Sequence, residues 1–384
     1  MVVAMEKCLL IKNGRIVDPA RGINQAGDIF VENGKIVEQI PRDRMKDGSI
    51  INASGCLVVP GLIDLHSHLF YGGTDAGIPA DAAMLPSGVT TAVDGGSAGS
   101  ANYELFQRSV VATSMVRIKA FLNVSPGGLV TARHDELLNP KFFDRDKIAL
   151  LFRQYPDNLI GLKLRQSRGV VGELGLDPLK AAIEIAEKLS CPVAVHTTDP
   201  PSATDDLVEL LRTGDIFVHV YHGVGNTIIG ANRHVLPAVR KARERGVLFD
   251  AANGKSHFSF DTALAALADG FEPDIISTDL TTLTWNKPPA YSLPFVISKY
   301  LNMGVTLQAA LAACTAVPAR LLAMSGIIGT LAPGAEADIA ILRLEERDTE
   351  FFDARGQKHV GNQLLIPQAT VRAGRIVYRN CGSV

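Results

Sequence analysis

The sequence predicts an α/β fold in which a (β/α)8 barrel is joined to a small β-sandwich built by both ends of the chain. Eight short apolar runs alternate with helical stretches over about 260 residues, the usual extent of such a barrel. Both chain ends instead carry short β-rich runs broken by Gly-containing turns. An open doubly wound sheet is the alternative, but no Gly-x-Gly-x-x-Gly turn follows an early strand, which weakens its dinucleotide-binding form.

The terminal runs predict the extent of the sandwich. Three runs contain a Gly turn and a fourth has the pattern of a strand; they comprise residues 11–17, 31–37, 371–377 and 337–342. We therefore expect a β-sandwich domain of residues 1–57 and 328–384. Residues 58–327 then form the barrel domain, which we expect to carry the functional groups at the carboxyl ends of its strands.

The predicted barrel strands are short runs of mainly aliphatic and β-branched residues. The first ends at His66, and the others comprise residues 89–94, 118–123, 159–164, 192–196, 215–219, 246–250 and 274–279. The sequence also predicts where helices begin between these strands. Asp177 is a predicted N-cap with Pro178 in the first turn, and residues 202–205 have the pattern of a capping box with Asp in place of Glu.

Composition argues against several classes of function. The formal net charge is −2 with mixed signs, so we expect no binding of nucleic acid or of an anionic membrane. No apolar stretch is long enough to span a bilayer, and residues 1–7 lack the pattern of a signal peptide. The five cysteines are scattered without a Cys-x-x-Cys pair, which favours reduced thiols and a cytoplasmic location.

The first predicted strand ends in a His-x-His pair, His66 and His68. Residues i and i+2 of a strand face the same side, so the two imidazoles can meet one metal ion. Imidazole suits borderline metals such as zinc. The pair alone is a weak signal, and it gains weight only if further ligands follow at later strand ends.

Such ligands do follow. Barrel enzymes place their functional groups at the carboxyl ends of the strands, where this chain has Lys163, His196, His219 and Asp279. Each residue also has a structural explanation: a hydrogen-bonded histidine, a surface lysine or a helix-capping aspartate. One fold would bring all of them to one mouth, which favours a metal site over these separate explanations.

Lys163 needs a chemical reason to join a metal site, because an ammonium group is positive. It lies on an otherwise apolar strand. If it reacts with carbon dioxide, it becomes an anionic carbamate whose two oxygens can bridge two metals. Two-metal hydrolytic sites hold their ions about 3.5–4 Å apart.

With these six residues in this order, the sequence resembles the amidohydrolase superfamily. The resemblance is to the binuclear branch that includes dihydroorotases, hydantoinases and deacetylases. It covers nearly the whole chain, including the split β-sandwich and residues 331–338 after the barrel. Residues 163–172 and 219–223 more narrowly resemble the amidohydrolase/deacetylase family metallohydrolases.

The resemblance implies a ligand set and a cofactor. His66, His68 and Asp279 would bind the more buried metal, and His196 and His219 the more exposed one. N6-carboxylated Lys163 would bridge the two. We expect two divalent ions, Zn²⁺ first, although Mn²⁺ or Fe²⁺ suits the same ligands.

The expected reaction is hydrolysis of an amide or ester of a small substrate that carries a carboxylate. A hydroxide bridging the metals would attack the carbonyl carbon, and Asp279 would act as general base and then as general acid. Deacylation is the first expectation, and opening of a cyclic amide or imide is the alternative. A deaminase of the same superfamily is less favoured, because the Glu expected three residues after His196 is replaced by Asp199. A non-catalytic scaffold relative is disfavoured because all six predicted ligands are present.

Four residues are predicted to contact the substrate: Arg165, His222, Asn253 and His257. Arg165 has the same strand parity as Lys163 and suits a carboxylate; its alternative is a salt bridge to a neighbouring loop. Asn253-Gly254 stands where the family subgroup leads us to expect His-Gly, so the substrate of relatives does not transfer directly. His257 either compensates for that change or caps the next helix. We expect the small-molecule substrate as the main partner, and a homo-oligomer.

Overall fold

A computed structural model describes residues 8–41, 43–131 and 133–380; the predicted absence of a leader in residues 1–7 lies outside this part. Two sheets and short helices make up the fold. The strands are β1 Cys8–Asp18, β2 Ile23–Glu32, β3 Lys35–Val37, β4 Ser49–Asn52, β5 Leu57–Pro60, β6 Leu62–Ser67, β7 Val89–Asp94, β8 Arg117–Asn123, β9 Leu159–Arg165, β10 Val193–His196, β11 Ile216–Val218, β12 Leu248–Asp250, β13 Ile339–Phe352, β14 Lys358–Arg372 and β15 Arg375–Arg379.

Helices connect the strands of the parallel sheet, and further helices come after its last strand in the chain. The α-helices are α1 Ala80–Met84, α2 Tyr103–Ser109, α3 Arg145–Gln154, α4 Arg168–Val171, α5 Asp177–Leu189, α6 Thr204–Leu210, α7 Pro237–Glu244, α8 Phe260–Ala268, α9 Leu293–Asn302, α10 Leu307–Ala312 and α11 Ala316–Leu321. Single 3₁₀ turns cover Pro19–Arg21, Arg44–Asp47, Leu85–Ser87, Val111–Thr113, Pro140–Phe142 and Gly172–Leu174. Among the described residues, no helix combines the length and apolarity needed to cross a bilayer.

Seven parallel strands follow one another in space as they do in the chain. The sheet order is β12-β11-β10-β9-β8-β7-β6, and every neighbouring pair is parallel. Each connection carries the chain back to the start of the next strand, as a βα unit requires. Seven of the eight predicted strands are thereby confirmed, and their carboxyl ends meet at one edge of the sheet.

The eighth predicted strand, residues 274–279, is wrong as a regular strand. This segment makes only isolated bridges, Ile275 with Asp250 and Leu280 with Ser67. Asp279 adopts a φ of +52°, which breaks the extended conformation just before the second bridge. Because one bridge reaches β12 and the other reaches β6, the parallel sheet curls until this segment contacts both of its edges.

The second sheet joins the two ends of the chain. Its order is β15-β14-β13-β5-β1-β2-β3, with β4 beside β1. Strand β5 makes the join, because Val58 pairs with Ile16 on one side and with Ile341 on the other. Strand β1 changes partner along its length, pairing first with β4 and then with β5. The structure thus shows one branched sheet built from both termini, and its division into a two-layer sandwich remains a prediction.

The Gly turns of this sheet have two outcomes. Hairpins form at Asn33-Gly34, between β2 and β3, and at Ala373-Gly374, between β14 and β15, as the pattern predicts. Asn13-Gly14 instead lies inside β1, where Asn13 has a φ of +62° and the register with β2 shifts. That irregularity is a β-bulge, since the extra residue is absorbed without reversing the chain.

Helix starts are predicted less well than strands. Helix α5 begins at Asp177 with Pro178 in its first turn, although its N-cap is Leu176 rather than Asp177. The capping box predicted at residues 202–205 is wrong. Helix α6 has Ala203 as its N-cap without a side-chain cap, and the Ser202 hydroxyl donates to the carbonyl of Ala203.

The inner face of the curled sheet carries an apolar layer beneath its polar mouth. Phe121, Ala194 and Ile216 belong to one buried cluster on this face. Two residues further along β8 and β10 stand Asn123 and His196, which therefore face the same side. The outward-facing residues of these strands pack against the helices in a larger cluster. The apolar layer thus supports polar side chains collected at the carboxyl ends.

Candidate metal centre

The first ligand group lies at the end of β6. His68 Nε2 is 3.1 Å and His66 Nε2 is 3.7 Å from Asp279 Oδ1. One ligand atom from each of these residues lies within 4.8 Å of the others. All three residues are buried, so any ion held here is withdrawn from bulk water. His-x-His and the strand-end aspartate therefore come together as the sequence pattern requires.

The second group lies at the ends of β10 and β11. His219 Nε2 is 3.0 Å from His196 Nδ1. His257, from the segment between β12 and α8, completes a set whose ligand atoms also lie within 4.8 Å of one another. The ring of His257 stacks on that of His219 with centroids 4.2 Å apart. This third histidine was predicted as a substrate contact, whereas the structure places it against two predicted metal ligands.

Lys163 lies beside the first group. Its Nζ is 3.1 Å from His66 Nε2, and only 4% of the residue is exposed. Burial lowers the pKa of Lys163 to about 8, although Asp279 and Asp250 oppose this shift. A lysine with this pKa has an appreciable neutral fraction near pH 7–8, as reaction with carbon dioxide requires.

Two glycines that the sequence analysis did not single out make room for these groups. A Cβ on Gly95 would lie 2.4 Å from His66 Cδ2, and one on Gly96 would lie 2.5 Å from Lys163 Cβ and Cγ. They follow β7 directly, and their signal in the sequence is the run Asp94-Gly95-Gly96 at a strand end. Close approach of this backbone to the site explains why side chains are absent there.

Oxygen atoms behind the histidines hold the rings. His219 Nδ1 donates to the carbonyl of Ala252 over 2.9 Å, which leaves Nε2 with its lone pair toward His196. His68 Nδ1 and Ser97 Oγ are also 2.9 Å apart. These partners fix ring orientation and tautomer in the way that supports metal ligation. Ala252 and Ser97 were missed because they carry no ligand chemistry of their own.

The electrostatics of the cluster suit a cation. Burial lowers the pKa of His66, His196 and His219 well below the usual value, so these imidazoles are neutral. Burial opposes ionisation of Asp279, but the hydrogen bond from His68 and the surrounding imidazoles outweigh it and lower the pKa of that carboxyl. Neutral nitrogens and an ionised carboxylate form a donor set that Zn²⁺, Mn²⁺ or Fe²⁺ can use.

Two further buried carboxyl groups lie behind the first ligand group. Asp250 Oδ2 is 3.6 Å from His66 Nδ1, and Asp64 accepts hydrogen bonds from the backbone and hydroxyl of Thr278. Burial raises the pKa of Asp64 to about 7 and that of Asp250 to about 8. Asp250 ends the seventh strand, so a search for every strand-end carboxylate would have found it.

Two of the ligand positions carry an uncommon backbone conformation. His219 has a φ of +69° and Asp279 a φ of +52°, in the left-handed region that non-glycine residues rarely adopt. Such residues cost of order 1–3 kcal/mol each and persist where surrounding structure over-determines them. The backbone N–H of Asp279, for example, donates to the carbonyl of His66 over 2.7 Å.

Both groups open into one cavity of about 470 Å³. Its lining joins the metal-binding candidates to polar residues and a few apolar ones: His66, His68, Lys163, His196, His219, His257 and Asp279 with Asn123, Thr131, His134, Glu136, Arg165, Lys255, Ser256, Thr281, Ala76, Leu129 and Leu283. The size suits a small molecule.

Arg165 lines this cavity and makes an ion pair. Its Nη1 is 3.2 Å from Oε2 of Glu136, on the loop after β8. The salt bridge to a neighbouring loop, the alternative weighed for Arg165, is therefore present. Its Nε is buried without a hydrogen-bond partner among the described residues, and 39% of the side chain is exposed. Glu136 was missed because loop geometry brings it here.

The other two predicted substrate contacts lie elsewhere. His222 and Asn253 are fully buried and are not among the described residues that line the cavity. The carbonyl of His222 accepts from the Thr262 hydroxyl. Asn253 donates to the carbonyl of Ala251 and accepts from Lys299 Nζ over 2.8 Å. Their placement is that of supporting residues behind the cavity wall.

Comparisons with known proteins agree with this geometry. The profile of the Amidohydrolase family matches residues 57–377. A protein named deacetylase from Agrobacterium fabrum is 33% identical over 371 residues, which cover 94% of this chain and 90% of that protein. A crystal structure of an adenine deaminase superposes with a TM-score of 0.89 at 28% identity, covering 97% of this chain and 99% of that one. A crystal structure of a dihydroorotase gives 0.88 at 32% identity, covering 97% and 98%. The chain therefore belongs to the amidohydrolase family and is a hydrolase of that family.

Proposed function

We propose that this chain is a two-metal hydrolase that removes an acyl group from a small amide or ester bearing a carboxylate. The observation that carries the proposal is the meeting of two ligand groups and Lys163 in one cavity. The name of the Agrobacterium fabrum relative favours deacylation over the other reactions of the family. We propose residues 58–327 as the (β/α)8 barrel that carries this site, beside a β-sandwich of residues 1–57 and 328–384. Strand β5, Leu57–Pro60, pairs within the terminal sheet, so the junction between the two sheets lies at Gly61.

The metal ligands in this proposal are His66, His68 and Asp279 for one ion and His196 and His219 for the other, with Lys163 between them. Neutral Lys163 Nζ adds to carbon dioxide, forming an N–C bond and releasing a proton, and the resulting carbamate supplies two anionic oxygens. When bound, divalent ions lower the pKa of water and polarise a carbonyl. Zinc is the first candidate, because imidazole nitrogens dominate the donor set.

Asp279 moves the proton. Its carboxylate is ionised at neutral pH, and the ionised form is the one that can accept the proton of the attacking water. As the C–N or C–O bond breaks, it returns that proton to the leaving nitrogen or oxygen. Its Oδ1 faces His66 and His68, whereas Oδ2 lies 3.9 Å from His257 Nε2 on the side of the second group.

The cavity wall favours an anionic substrate. Arg165 and Lys255 bring two positive side chains. Among the described residues of the lining, Glu136 is the one acidic residue outside the ligand groups, and Arg165 engages it. A substrate carboxylate that meets the guanidinium of Arg165 gains charge-assisted hydrogen bonds. Glu136 holds that guanidinium at Nη1, 3.2 Å from its Oε2, and so fixes the side chain beside the cavity.

The experiment is a substrate panel read by mass spectrometry. Zinc-loaded protein is incubated with acylated amino acids, acylated hydroxy acids and cyclic amides, and His196→Ala protein is the matched control. Cleavage into an acid plus an amine or alcohol supports deacylation. A product that gains one water and stays a single molecule contradicts it and supports the cyclic-amide alternative, which the similarity to a dihydroorotase structure favours.

A deaminase is a weaker candidate despite the similar adenine deaminase structure. Asp199 stands three residues after His196, where a deaminase is expected to have Glu. Its side chain lies 3.7 Å from Arg168 and is not among the described residues that line the cavity. Adenine is therefore added to the panel, and release of ammonia from it would overturn the acyl-hydrolase proposal.

A further inference from the structure

We propose that His257 is a third imidazole ligand of the second metal ion, through its Nε2 atom. The inference rests on the two-metal function proposed above and adds a ligand that the sequence pattern does not supply. His257 lies outside the strand ends, in the segment between β12 and α8. It was predicted from the sequence as a substrate contact, and its placement indicates a different use.

The ring of His257 lies about as close to the rings of His196 and His219 as these two lie to each other. The ring centroids of His196 and His219 are 4.4 Å apart, and that of His257 lies 4.7 Å from the first and 4.2 Å from the second. One nitrogen of each ring falls within 4.8 Å of the others. An ion that binds His196 and His219 therefore meets a third nitrogen at a comparable distance.

The hydrogen bonding of His257 matches that of the predicted ligands. Its Nδ1 is 2.9 Å from Thr198 Oγ1, as His68 Nδ1 is from Ser97 Oγ and His219 Nδ1 from the carbonyl of Ala252. Metal-bound histidines are held by an oxygen at the nitrogen that does not bind the ion. The remaining nitrogen of His257, Nε2, then faces Asp279 Oδ2 across 3.9 Å.

The backbone holds this ring in place. Gly254 has a φ of +51°, and its N–H donates to the carbonyl of Thr278 over 2.9 Å. A Cβ at this position would lie 2.2 Å from Asp279 Oδ2 and 2.7 Å from His257 Cδ2. Ahead of it, Asn253 is tied to Lys299, so the chain reaches His257 from a fixed point. His257 is thus presented by an anchored segment.

Three neutral imidazoles supply three of the four positions of tetrahedral zinc, and the fourth is left for the carbamate of Lys163 or for water. The second ion would then depend less on the carbamate of Lys163 than the first. His257 cannot coordinate the ion and contact the substrate at the same time, because Thr198 engages its Nδ1 and only Nε2 remains.

The test measures metal binding rather than turnover. Metal-free wild type, His257→Ala and His134→Ala are titrated with Co²⁺, following the visible absorption and the bound metal by mass spectrometry. His134 lines the same cavity but belongs to neither ligand group, so it is the matched control. We expect two ions in wild type and His134→Ala. In His257→Ala, affinity for the second ion should fall at least tenfold, and the absorption of that site should change.

The outcomes separate the two proposals. Two ions with unchanged affinity and spectrum in His257→Ala overturn the ligand role, whereas a single ion in wild type overturns the two-metal function itself. His257→Cys guards against a folding defect, because a thiolate can replace the imidazole and restore part of the affinity. If the cysteine variant binds the second ion no better than the alanine variant while both stay folded, the inference also fails.

Discussion

At the scale of single residues, the site depends on which atom of each side chain is left uncommitted. His68 and His219 have Nδ1 held by Ser97 Oγ and by the carbonyl of Ala252, so Nε2 remains for a ligand. Asp279 offers one oxygen to each side of the cluster. Arg165 differs from these residues, because its Nη1 is already engaged by Glu136.

The first prediction concerns Asp279. Replacing it with Asn keeps the shape but removes the proposed proton acceptor, so kcat should fall by at least about 10²-fold while KM stays close to wild type. Steady-state kinetics on the best panel substrate measure both constants, with metal content determined on the same samples. Retained kcat at full metal occupancy would remove the proton-transfer role of Asp279.

Much of the candidate site could be predicted at this scale, and the limit lies in the loops. His66, Lys163, His196 and His219 stand at the ends of strands, where the period of a strand and the register of a parallel sheet determine their common location. His257 and Glu136 reach the cavity from loops, whose paths no periodicity encodes. His222 and Asn253 were predicted to contact the substrate because the sequence does not show that their side chains are buried behind the cavity wall.

At the scale of elements, the segment between β12 and α8 brings several parts of the site together. Gly254 lies against Asp279, and the next residues form part of the cavity wall. Helix α9 anchors this segment through Lys299, whose Nζ contacts Asn253 Oδ1 and the carbonyls of Pro289 and Phe352. The position of the wall therefore depends on a helix that never touches the cavity.

The second prediction uses Gly254. Gly254→Ala places a methyl group 2.2 Å from the undisturbed position of Asp279 Oδ2, so one of them must move. We expect kcat to fall at least tenfold, and metal affinity to fall with it. Gly22→Ala is the control, because Gly22 also has a positive φ, +65°, but nothing lies within 4 Å of its Cβ position. Equal kinetics in the two variants would contradict the steric account.

The third prediction concerns Lys299 and pH. Burial lowers the pKa of Lys299 to about 7 in the folded protein, whereas the unfolded chain keeps this proton up to about pH 10.4. Between these values the unfolded state binds more protons, so the free energy of unfolding rises with pH by at most ~1.4 kcal/mol per unit. Urea unfolding at pH 7, 8 and 9 measures the slope. Lys299→Met should reduce it, and an unchanged slope would count against this contribution.

Element boundaries were harder to predict than element types. Residues 274–279 have the composition of a strand, but Asp279 leaves the extended region to meet the histidines, and the ladder is reduced to single bridges. Asn13-Gly14 has the strongest local signal for a hairpin, yet β1 runs through it because pairing with β2 continues on both sides. In both cases tertiary contacts overrule a local preference.

At the scale of the whole molecule, the chain passes from the terminal sheet into the parallel sheet at one short junction. Strand β5 of the terminal sheet runs directly into β6 of the parallel sheet, with Gly61 between them. A Cβ on Gly61 would lie 2.2 Å from Thr90 Oγ1, so the strands pack without room for a side chain at the junction. The segment that ends in His66 therefore starts from the sheet that joins the chain ends.

The fourth prediction concerns metal removal. Ions that bind only the folded state stabilise it by about 2.7 kcal/mol when their free concentration is 100 times Kd. We expect a chelator to lower the Tm of metal-loaded protein, as measured by calorimetry. A His68→Ala, His196→Ala double variant is the control and should show little change with chelator. A wild-type Tm that is indifferent to chelation would speak against structural dependence on the ions.

The pairing of Val58 with Ile341 has a consequence for synthesis. When β5 leaves the ribosome, the strand that will cover its edge has not yet been made, and at about 5–20 residues per second it follows on the order of 15–60 s later. Throughout that interval β5, whose four residues are all buried in the finished protein, offers an open apolar edge to other nascent chains. Release of the C-terminal strands is therefore the event that ends its exposure, and a holding chaperone would act before it.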